Sequence, residues 1–214
     1  MINRRRINIW ESVSDMMTGM MMIFLFVSLA FMLQHYSTRA QIVADLTKEF
    51  PPSELADMHA TIDEKSGTIS FNADGAVLFV SGQEIPSYEY QKILNDFFPR
   101  YINILQKDKY KGKIAEIRIE GHASIEKNES YDNQYQYFDN MRRSQGRARN
   151  VLEYVMRMPI YKDKEHQDWL KQHIIAVGYS FSKSTGDTTK DRRVDFRVVL
   201  NAEKPFDKNE ELSE

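Results

Sequence analysis

One carboxylate stands at the edge of the longest apolar run in this 214-residue chain. Asp15 directly precedes Met16–Leu33, a stretch with no charged side chain. An acid that partner helices shelter from water has a raised pKa and can exchange a proton near neutral pH. A single helix provides no such shelter, so this relay hypothesis requires other subunits. The alternative is a helix cap, for which Ser12, Ser14 and Asp15 are all suitable.

The apolar run has the length and composition of a transmembrane helix. Eighteen residues rising 1.5 Å each span roughly 27 Å, close to the ~30 Å hydrocarbon thickness of a bilayer. Trp10 and Tyr36 flank the run, as aromatic side chains do at membrane interfaces. We therefore predict one transmembrane helix at residues 15–36. A signal peptide cleaved after Ser28-Leu29-Ala30 is the alternative, but the run is too long for one.

Charges on either side of this helix predict its orientation. Arg4, Arg5 and Arg6 precede the helix, whereas Arg39 is the nearby cation beyond it. Positive charge marks the cytoplasmic side. We therefore expect residues 1–14 in the cytoplasm and everything after the helix outside.

Composition limits the possible functions further. The formal net charge of -2 gives no reason to expect nucleic-acid binding. The chain has no cysteine, which excludes disulfides, thiolate metal sites and cysteine nucleophiles. The sequence also lacks the nucleophile, metal site or acid–base pair that a wall hydrolase needs, so we predict no enzyme activity.

Residues 37–66 are predicted to link the membrane helix to an outer domain. Ile42, Leu46 and Phe50 fall on one side of a helix that Pro51-Pro52 should end. Ser53 is a suitable cap for a second short helix. A plain spacer is the alternative.

Residues 67–202 predict an α/β fold with helices packed against one mixed sheet. The strand patterns are 68–71, 76–80 after a turn at 73–75, 114–121, 174–179 as a buried strand, and 194–200. The helical patterns are 88–106 and 140–158. An acidic tail at 203–214 is predicted to be disordered.

Residues 10–21 resemble the MotB family of flagellar stator subunits. That family has a tryptophan, a short polar stretch and then Asp-Phe-Met-Thr-Ala-Met-Met. Here Met17, Thr18, Met20 and Met21 hold the same places relative to Asp15. The resemblance implies that Asp15, with Thr18, carries protons in an ion-driven stator, with no cofactor beyond the coupling ion. It also implies that the linker region could hold a plug.

Three segments of the outer domain resemble the OmpA/MotB peptidoglycan-binding domains. The first is Ile119-Glu120-Gly121-His122-Ala123, where the family has Ile-x-Gly-His-Thr-Asp. The second runs from Asn140 to Ala148, where the family has Asn-x-x-Leu-Ser-x-x-Arg-Ala. The third is Gly178-Tyr179-Ser180 followed by Asp191 to Phe196, where the family has Gly-x-Gly and then Asn-Arg-Arg-Val-Glu-Ile. All three occur in family order, and the resemblance covers about residues 67–200. It implies an α/β sandwich that binds the stem peptide of the cell wall.

The resemblance also implies which side chains bind that peptide. A guanidinium pairs with a carboxylate through two hydrogen bonds, so Arg147 is the favoured anchor; a solvated helix-face cation is the alternative. The family aspartate that receives the ligand's ammonium is Ser124 here, which leaves Asp139 or Asp132 to supply the anion. Asn140 is expected to order the loop or bond the peptide. The full predicted set is Asp139, Asn140, Arg143, Arg147, His122 and Ser124.

We predict no metal site. His122 is expected to bond a neighbouring loop, because no second histidine or carboxylate sits at ligand spacing. Arg192 and Arg193 are expected to include one contact to the domain's own acids.

The Met-Thr-Gly-Met-Met-Met-Ile-Phe-Leu-Phe pattern and the short linker are more similar to the ZorB family of Zorya anti-phage systems than to flagellar MotB. This resemblance implies a dimer inside a ring of five MotA-like (ZorA-type) membrane subunits. The outer domains would be fixed to peptidoglycan in the periplasm while protons pass Asp15 in the inner membrane. A flagellar stator and a passive membrane-to-wall tether are the alternatives. TolR- or ExbD-like energisers share the membrane aspartate but lack the outer-domain motifs.

Overall fold

The computed structural model describes residues 9–72, 78–79, 83–124, 133–159 and 164–201. The chain divides into two compact units, Met1–Thr38 and Arg39–Glu214.

The first unit contains most of a long helix, α1 (Ile9–Glu49). Its apolar side chains from Met16 to Leu33 are largely exposed, and none of the most apolar stretch is buried against the chain itself. Within the described residues, α1 is the one helix long and apolar enough to cross a membrane. So large an apolar surface needs lipid or other subunits around it. The single N-terminal apolar helix predicted from the sequence is confirmed.

The second unit begins before the predicted boundary at residue 67. The last turns of α1 bury Ile42, Leu46 and Phe50 in the core of this unit. Since these side chains recur along one helical face, the segment predicted as a linker packs as part of the domain. Arg39 Nη1 also donates a hydrogen bond to the Ser66 carbonyl oxygen at 2.8 Å.

The prolines after α1 end one helix and begin the next. α1 stops at Glu49, as predicted, because a proline cannot continue the helical hydrogen bonds. α2 (Pro52–Asp57) is preceded by Pro51 at its N-cap position, so the predicted cap at Ser53 is wrong. The fixed backbone angle of proline suits the first helical position.

A five-stranded mixed sheet forms the centre of the second unit, in the order β1-β2-β5-β3-β4. The strands are β1 (Ala60–Ile62), β2 (Ile69–Asn72), β3 (Ile114–Gly121), β4 (Ile174–Gly178) and β5 (Arg193–Leu200). The β3–β4 pair is parallel and the other pairs are antiparallel. The remaining helices are α3 (Tyr88–Leu105), a 3-10 turn (Asp108–Tyr110), α4 (Asn133–Met156), α5 (Lys164–His173) and α6 (Thr188–Asp191). The predicted α/β fold with one mixed sheet is confirmed.

Several elements differ from their predicted form. β4 lies at the sheet edge, so it is only partly buried and Ile175 is 38% exposed. Of the predicted strand 76–80, Phe79 forms an isolated antiparallel bridge with Pro86. The predicted turn at 73–75 and the tail at 203–214 lie outside the described residues. α4 begins at Asn133, before the predicted start at 140.

Aromatic rings fill the space between α3 and the sheet. Phe97 of α3 lies 4.9 Å from Phe71 of β2 and 5.2 Å from Phe196 of β5, measured between ring centroids. Both pairs meet edge to face, the arrangement that aromatic quadrupoles prefer. These contacts fix α3 over the β2–β5 pair and leave the other end of the sheet to α4.

Arg100 ties the start of the second unit to α3. Its Nε and Nη2 donate to the Glu49 carboxylate and carbonyl, both at 2.8 Å, and Nη1 donates to Glu54 and to Asp96. The guanidinium also lies 4.7 Å from the centre of the Phe50 ring. Acidic partners raise the pKa of Arg100 above its ordinary value, hydrogen bonding to Glu54 being the largest contribution.

Candidate functional site

Asp15 lies inside helix α1. It stands six residues past Ile9, where the described helix begins. A capping side chain must lie at the first turn, where backbone N–H groups lack partners. The capping hypothesis is therefore not supported, and Asp15 projects from the helix beside the apolar surface.

Thr18 lies one helical turn after Asp15, on the same face. Its hydroxyl donates a hydrogen bond to the Ser14 carbonyl oxygen at 2.8 Å. The polar group is thus satisfied within the helix, as apolar surroundings require. Asp15 itself is exposed in the isolated chain, and shelter for its carboxylate has to come from other subunits.

The three motifs of the second unit meet where β3 and β4 end. Gly121 and Gly178 are paired in the parallel register of these strands. α4 crosses so close that a Cβ on Gly121 would lie 2.1 Å from the Ser144 carbonyl oxygen, and one on Gly178 would lie 2.3 Å from Gln145 Cγ. Both positions therefore need glycine, which explains why each motif carries one.

Hydrogen bonds hold the motif ends together. The Ser180 N–H donates to Ser144 Oγ at 3.0 Å, and the Ala123 N–H donates to the Ser180 carbonyl oxygen at 2.9 Å. The His122 N–H donates to the Arg193 carbonyl oxygen at 3.0 Å. Segments far apart in sequence thus form one connected surface beside the N-terminal half of α4.

Asn140 and Ser124 are in contact, as a loop-ordering role for Asn140 predicts. Asn140 Nδ2 donates to the Ser124 carbonyl oxygen at 3.3 Å. Ser124, which replaces the family aspartate, is only 5% exposed. Asn140 therefore fixes the backbone after the Gly-His motif.

Asp139 is already paired within its own helix. Its carboxylate oxygens lie 3.1 Å from Arg142 Nη2 and 2.8 Å from Arg143 Nε. Burial alone would raise the pKa of Asp139, but the two guanidinium groups hold it below its ordinary value. Both oxygens are in use, which leaves Asp139 less available for a ligand ammonium. Asp132 lies outside the described residues.

Arg147 is a partly buried cation with unused donor capacity. Its guanidinium lies 5.0 Å from the centre of the Phe79 ring, and its Nε has no hydrogen-bond partner among the described residues. Burial first, and then the charges of Arg143 and Arg192, lower the pKa of Arg147 from its ordinary value. A solvated helix-face cation would not be buried in this way. The charge of Glu84 raises the pKa of Arg147, but by less than burial and the two arginines lower it.

The sequence did not reveal the surroundings of His122. The side chain is 2% exposed, and its Nε2 lies 3.1 Å from Asp195 Oδ2 and 3.9 Å from Glu120 Oε2. The ring stacks on Tyr179 with centroids 5.3 Å apart. Neither ring nitrogen has a well-aligned hydrogen bond within the described part of the chain. The ring faces Asp195 of β5, where a contact with a neighbouring loop was expected. The argument from ligand spacing also fails, because pairing of β3 with β5 brings a distant carboxylate to the histidine.

Arg193 makes the predicted contact with the domain's own acids. Its Nε lies 3.1 Å from Asp195 Oδ2, and its Nη1 lies 3.9 Å from Asp191 Oδ1. Burial alone would raise the pKa of Asp195, but nearby His122 and Arg193 hold it below its ordinary value. Asp195 is therefore a buried, charged group with a cation on one side.

Comparisons with known proteins identify similar chains. No family model matches the sequence. The Zorya protein ZorB of Escherichia coli is 39% identical over 216 aligned residues, which cover 91% of this chain and 88% of that protein. Among solved structures, a MotB-like protein from Desulfovibrio vulgaris has a TM-score of 0.50 and 18% identity, covering 78% of this chain and 97% of that one. The periplasmic domain of Helicobacter pylori MotB has a TM-score of 0.41 and 13% identity, covering 66% and 81%.

Proposed function

The chain belongs to the ZorB family, and from this membership we propose that it is the peptidoglycan-anchored B subunit of a proton-driven stator in a Zorya anti-phage defence system. A dimer of the chain stands inside a ring of five MotA-like, ZorA-type membrane subunits. Protons are the coupling ion. The chain itself carries out no catalytic reaction.

The position of Asp15 carries this proposal. A carboxylate well inside a helix cannot serve the helix end, and it lies beside an apolar surface that lipid or protein must cover. In such surroundings a charged acid is costly unless a partner or a proton neutralises it. Neighbouring helices of the ring provide the shelter, and alternating protonation of Asp15 couples ion flow to movement.

The outer unit lies in the periplasm and holds the stator to the wall. Three arginines before the apolar helix support a cytoplasmic N-terminus. The partly buried Arg147, with Arg143 and Arg192 close enough to lower its pKa, is suited to a stem-peptide carboxylate. Asn140 orders the loop beside it through Ser124.

The experiment compares Asp15→Asn with Glu11→Gln in cells that carry the complete defence system. Both changes remove one carboxylate from the same helix, but Glu11 lies outside the apolar run. We expect Asp15→Asn to abolish protection against phage, because an amide cannot bind and release the proton. Glu11→Gln should retain protection.

Immunoblots of the membrane fraction establish that both variants accumulate to the level of the unaltered chain. Full protection by the Asp15→Asn variant at normal abundance would refute the motor function and leave a passive tether.

A further inference from the structure

Two carboxylates and one imidazole converge on one face of the sheet. Glu120 of β3 lies opposite Asp195 of β5 in the antiparallel register. His122 follows two residues after Glu120 and therefore points to the same face. One potential ligand atom from each of the three side chains lies within 4.8 Å of the others, and all three residues are buried.

The polar atoms of this group are incompletely satisfied. Neither ring nitrogen of His122 has a well-aligned hydrogen-bond partner among the described residues, and the same holds for Asp195 Oδ1. The His122 ring and the Ser70 hydroxyl nevertheless help to lower the pKa of the Asp195 carboxyl. The Tyr179 hydroxyl is 3.4 Å from Glu120 Oε1, a long hydrogen bond. An unpaired buried polar group destabilises the fold, because it has lost its hydrogen bonds to water without replacement. The group therefore keeps buried nitrogen and oxygen atoms with spare capacity for a ligand.

Two cations, Lys183 and Arg193, contact the carboxylates of Glu120 and Asp195 from outside but do not lie between the three side chains. Lys183 Nζ is 3.4 Å from Glu120 Oε2, but the lysine side chain is 39% exposed and also lies over the Tyr179 ring. Arg193 donates to Asp195 Oδ2 and to the carbonyl oxygens of Lys183 and Lys190. Its position is thus fixed from outside the group, and neither cation donates to the imidazole of His122.

We propose that Glu120, His122 and Asp195 bind a divalent metal ion of the Zn²⁺ type. One imidazole nitrogen and two carboxylate oxygens are ligands that Zn²⁺ accepts, with water in the fourth position. Ligands about 2.1 Å from a tetrahedral ion lie about 3.4 Å apart, and the observed separations from His122 Nε2 are 3.1 and 3.9 Å. Ca²⁺ and Mg²⁺ prefer six or more oxygen ligands and fit this set poorly.

The ion would join β3 to β5 directly behind Ala123 and Ser124, the backbone that follows the Gly-His motif. His122 precedes Ala123 and Ser124, whose backbone atoms bond Ser180 and Asn140. Metal binding would therefore stabilise the position of that backbone. The proposal concerns the outer unit alone and stands whether or not Asp15 carries protons.

Zn²⁺ titration of the purified full-length chain tests the site. The chain is prepared in detergent without a histidine tag, stripped with a chelator, and followed by calorimetry and thermal unfolding. We expect one equivalent of Zn²⁺ to bind with micromolar or tighter affinity and to raise the Tm. Mg²⁺ and Ca²⁺ at the same concentration should leave the Tm unchanged. Absence of stoichiometric Zn²⁺ binding would overturn the proposal.

Matched histidine variants locate the bound ion. His122→Gln should lose the Zn²⁺ equivalent. His173→Gln should keep it, since His173 lies on α5, where its ring bonds the Trp169 carbonyl oxygen. Retention of Zn²⁺ by both variants would place the ion elsewhere and overturn the proposal.

Lys183→Gln provides a measurement if His122→Gln fails to fold. This change keeps all three ligands and removes the exposed cation that competes for Glu120. We expect Zn²⁺ to bind severalfold more tightly to Lys183→Gln than to the unaltered chain, because a like charge beside the ion is removed. Unchanged affinity would contradict the site.

Discussion

At the scale of single residues, Ser180 occupies a backbone conformation that favours glycine. Its φ is 51°, in the left-handed region. The Gly-x-Gly motif that this segment resembles implies a glycine at the same place. The serine is held by two hydrogen bonds, from its N–H to Ser144 Oγ and from its hydroxyl to the Tyr137 carbonyl oxygen, each 3.0 Å long. These bonds offset the conformational cost, which is roughly 1–2 kcal/mol for a residue with a Cβ.

Substitution of Ser180 should separate the two effects. Ser180→Ala keeps the strained backbone and loses the hydroxyl bond, so we expect the free energy of unfolding to fall by about 1 kcal/mol. Ser180→Gly loses the same bond but relieves the strain, so its stability should exceed that of the alanine variant by roughly 1 kcal/mol. Urea unfolding followed by circular dichroism measures both values. Equal stabilities of the two variants would contradict this account.

Arg147 is the residue on which wall binding should depend most. We expect Arg147→Gln to weaken binding of the purified chain to isolated cell-wall sacculi by roughly tenfold or more, since hydrogen bonds to charged groups contribute about 1.5–3 kcal/mol. Arg149→Gln is the matched control, because Arg149 is an exposed cation on the same helix. Cosedimentation with sacculi measures the affinities, and circular dichroism verifies folding. Equal weakening by both variants would indicate nonspecific charge attraction.

At the scale of elements, the last turns of α1 belong to the second unit. The apolar spacing of Ile42, Leu46 and Phe50 predicted a helix with one apolar side, and the structure adds that this side enters the core. The spacing alone could not reveal what the apolar side packs against, because that surface comes from residues distant in sequence.

A substitution in this helix should therefore affect the whole domain. Leu46 is fully buried, and Leu46→Ala should lower the free energy of unfolding by about 2–5 kcal/mol through lost burial and the cavity left behind. Lys48→Ala, two residues away and exposed, should change it by about 0.5 kcal/mol or less. Chemical unfolding of the full chain measures both. A Leu46→Ala effect as small as that of the control would mean that the segment is only a spacer.

At the scale of the whole molecule, local patterns predicted most of the fold but little of the buried polar chemistry. The helix at 88–106 and the strand at 194–200 were close to their observed bounds, because their periodic apolar positions are decisive. β1 has three residues and α6 has four, too few for a periodic signal. α5 is mostly polar and was also missed.

In the candidate site, too, the motifs could be recognised in the sequence, whereas the contacts between buried polar side chains could not. Asn140 and Arg147 were predicted as binding residues from the motif that their segment resembles, and their role in binding stays a prediction. The approach of Asp195 to His122 depends on strand register, which a single sequence does not state. The sequence also did not reveal that Asp139 is paired. It was predicted to be available for a ligand, but Arg142 and Arg143 form ion pairs with it.

The hydrogen bonds of Arg100 to Glu49 and Glu54, at the beginning of the second unit, have a mechanical consequence. An anchor must resist tension that enters where its chain leaves the membrane. Here a pull on Arg39 would have to drag Leu46 and Phe50 out of the core and break the contacts of Arg100 with Glu49 and Glu54 at the same time. Such a load is shared in shear by many contacts, whereas a lone strand at a sheet edge would peel away one bond at a time.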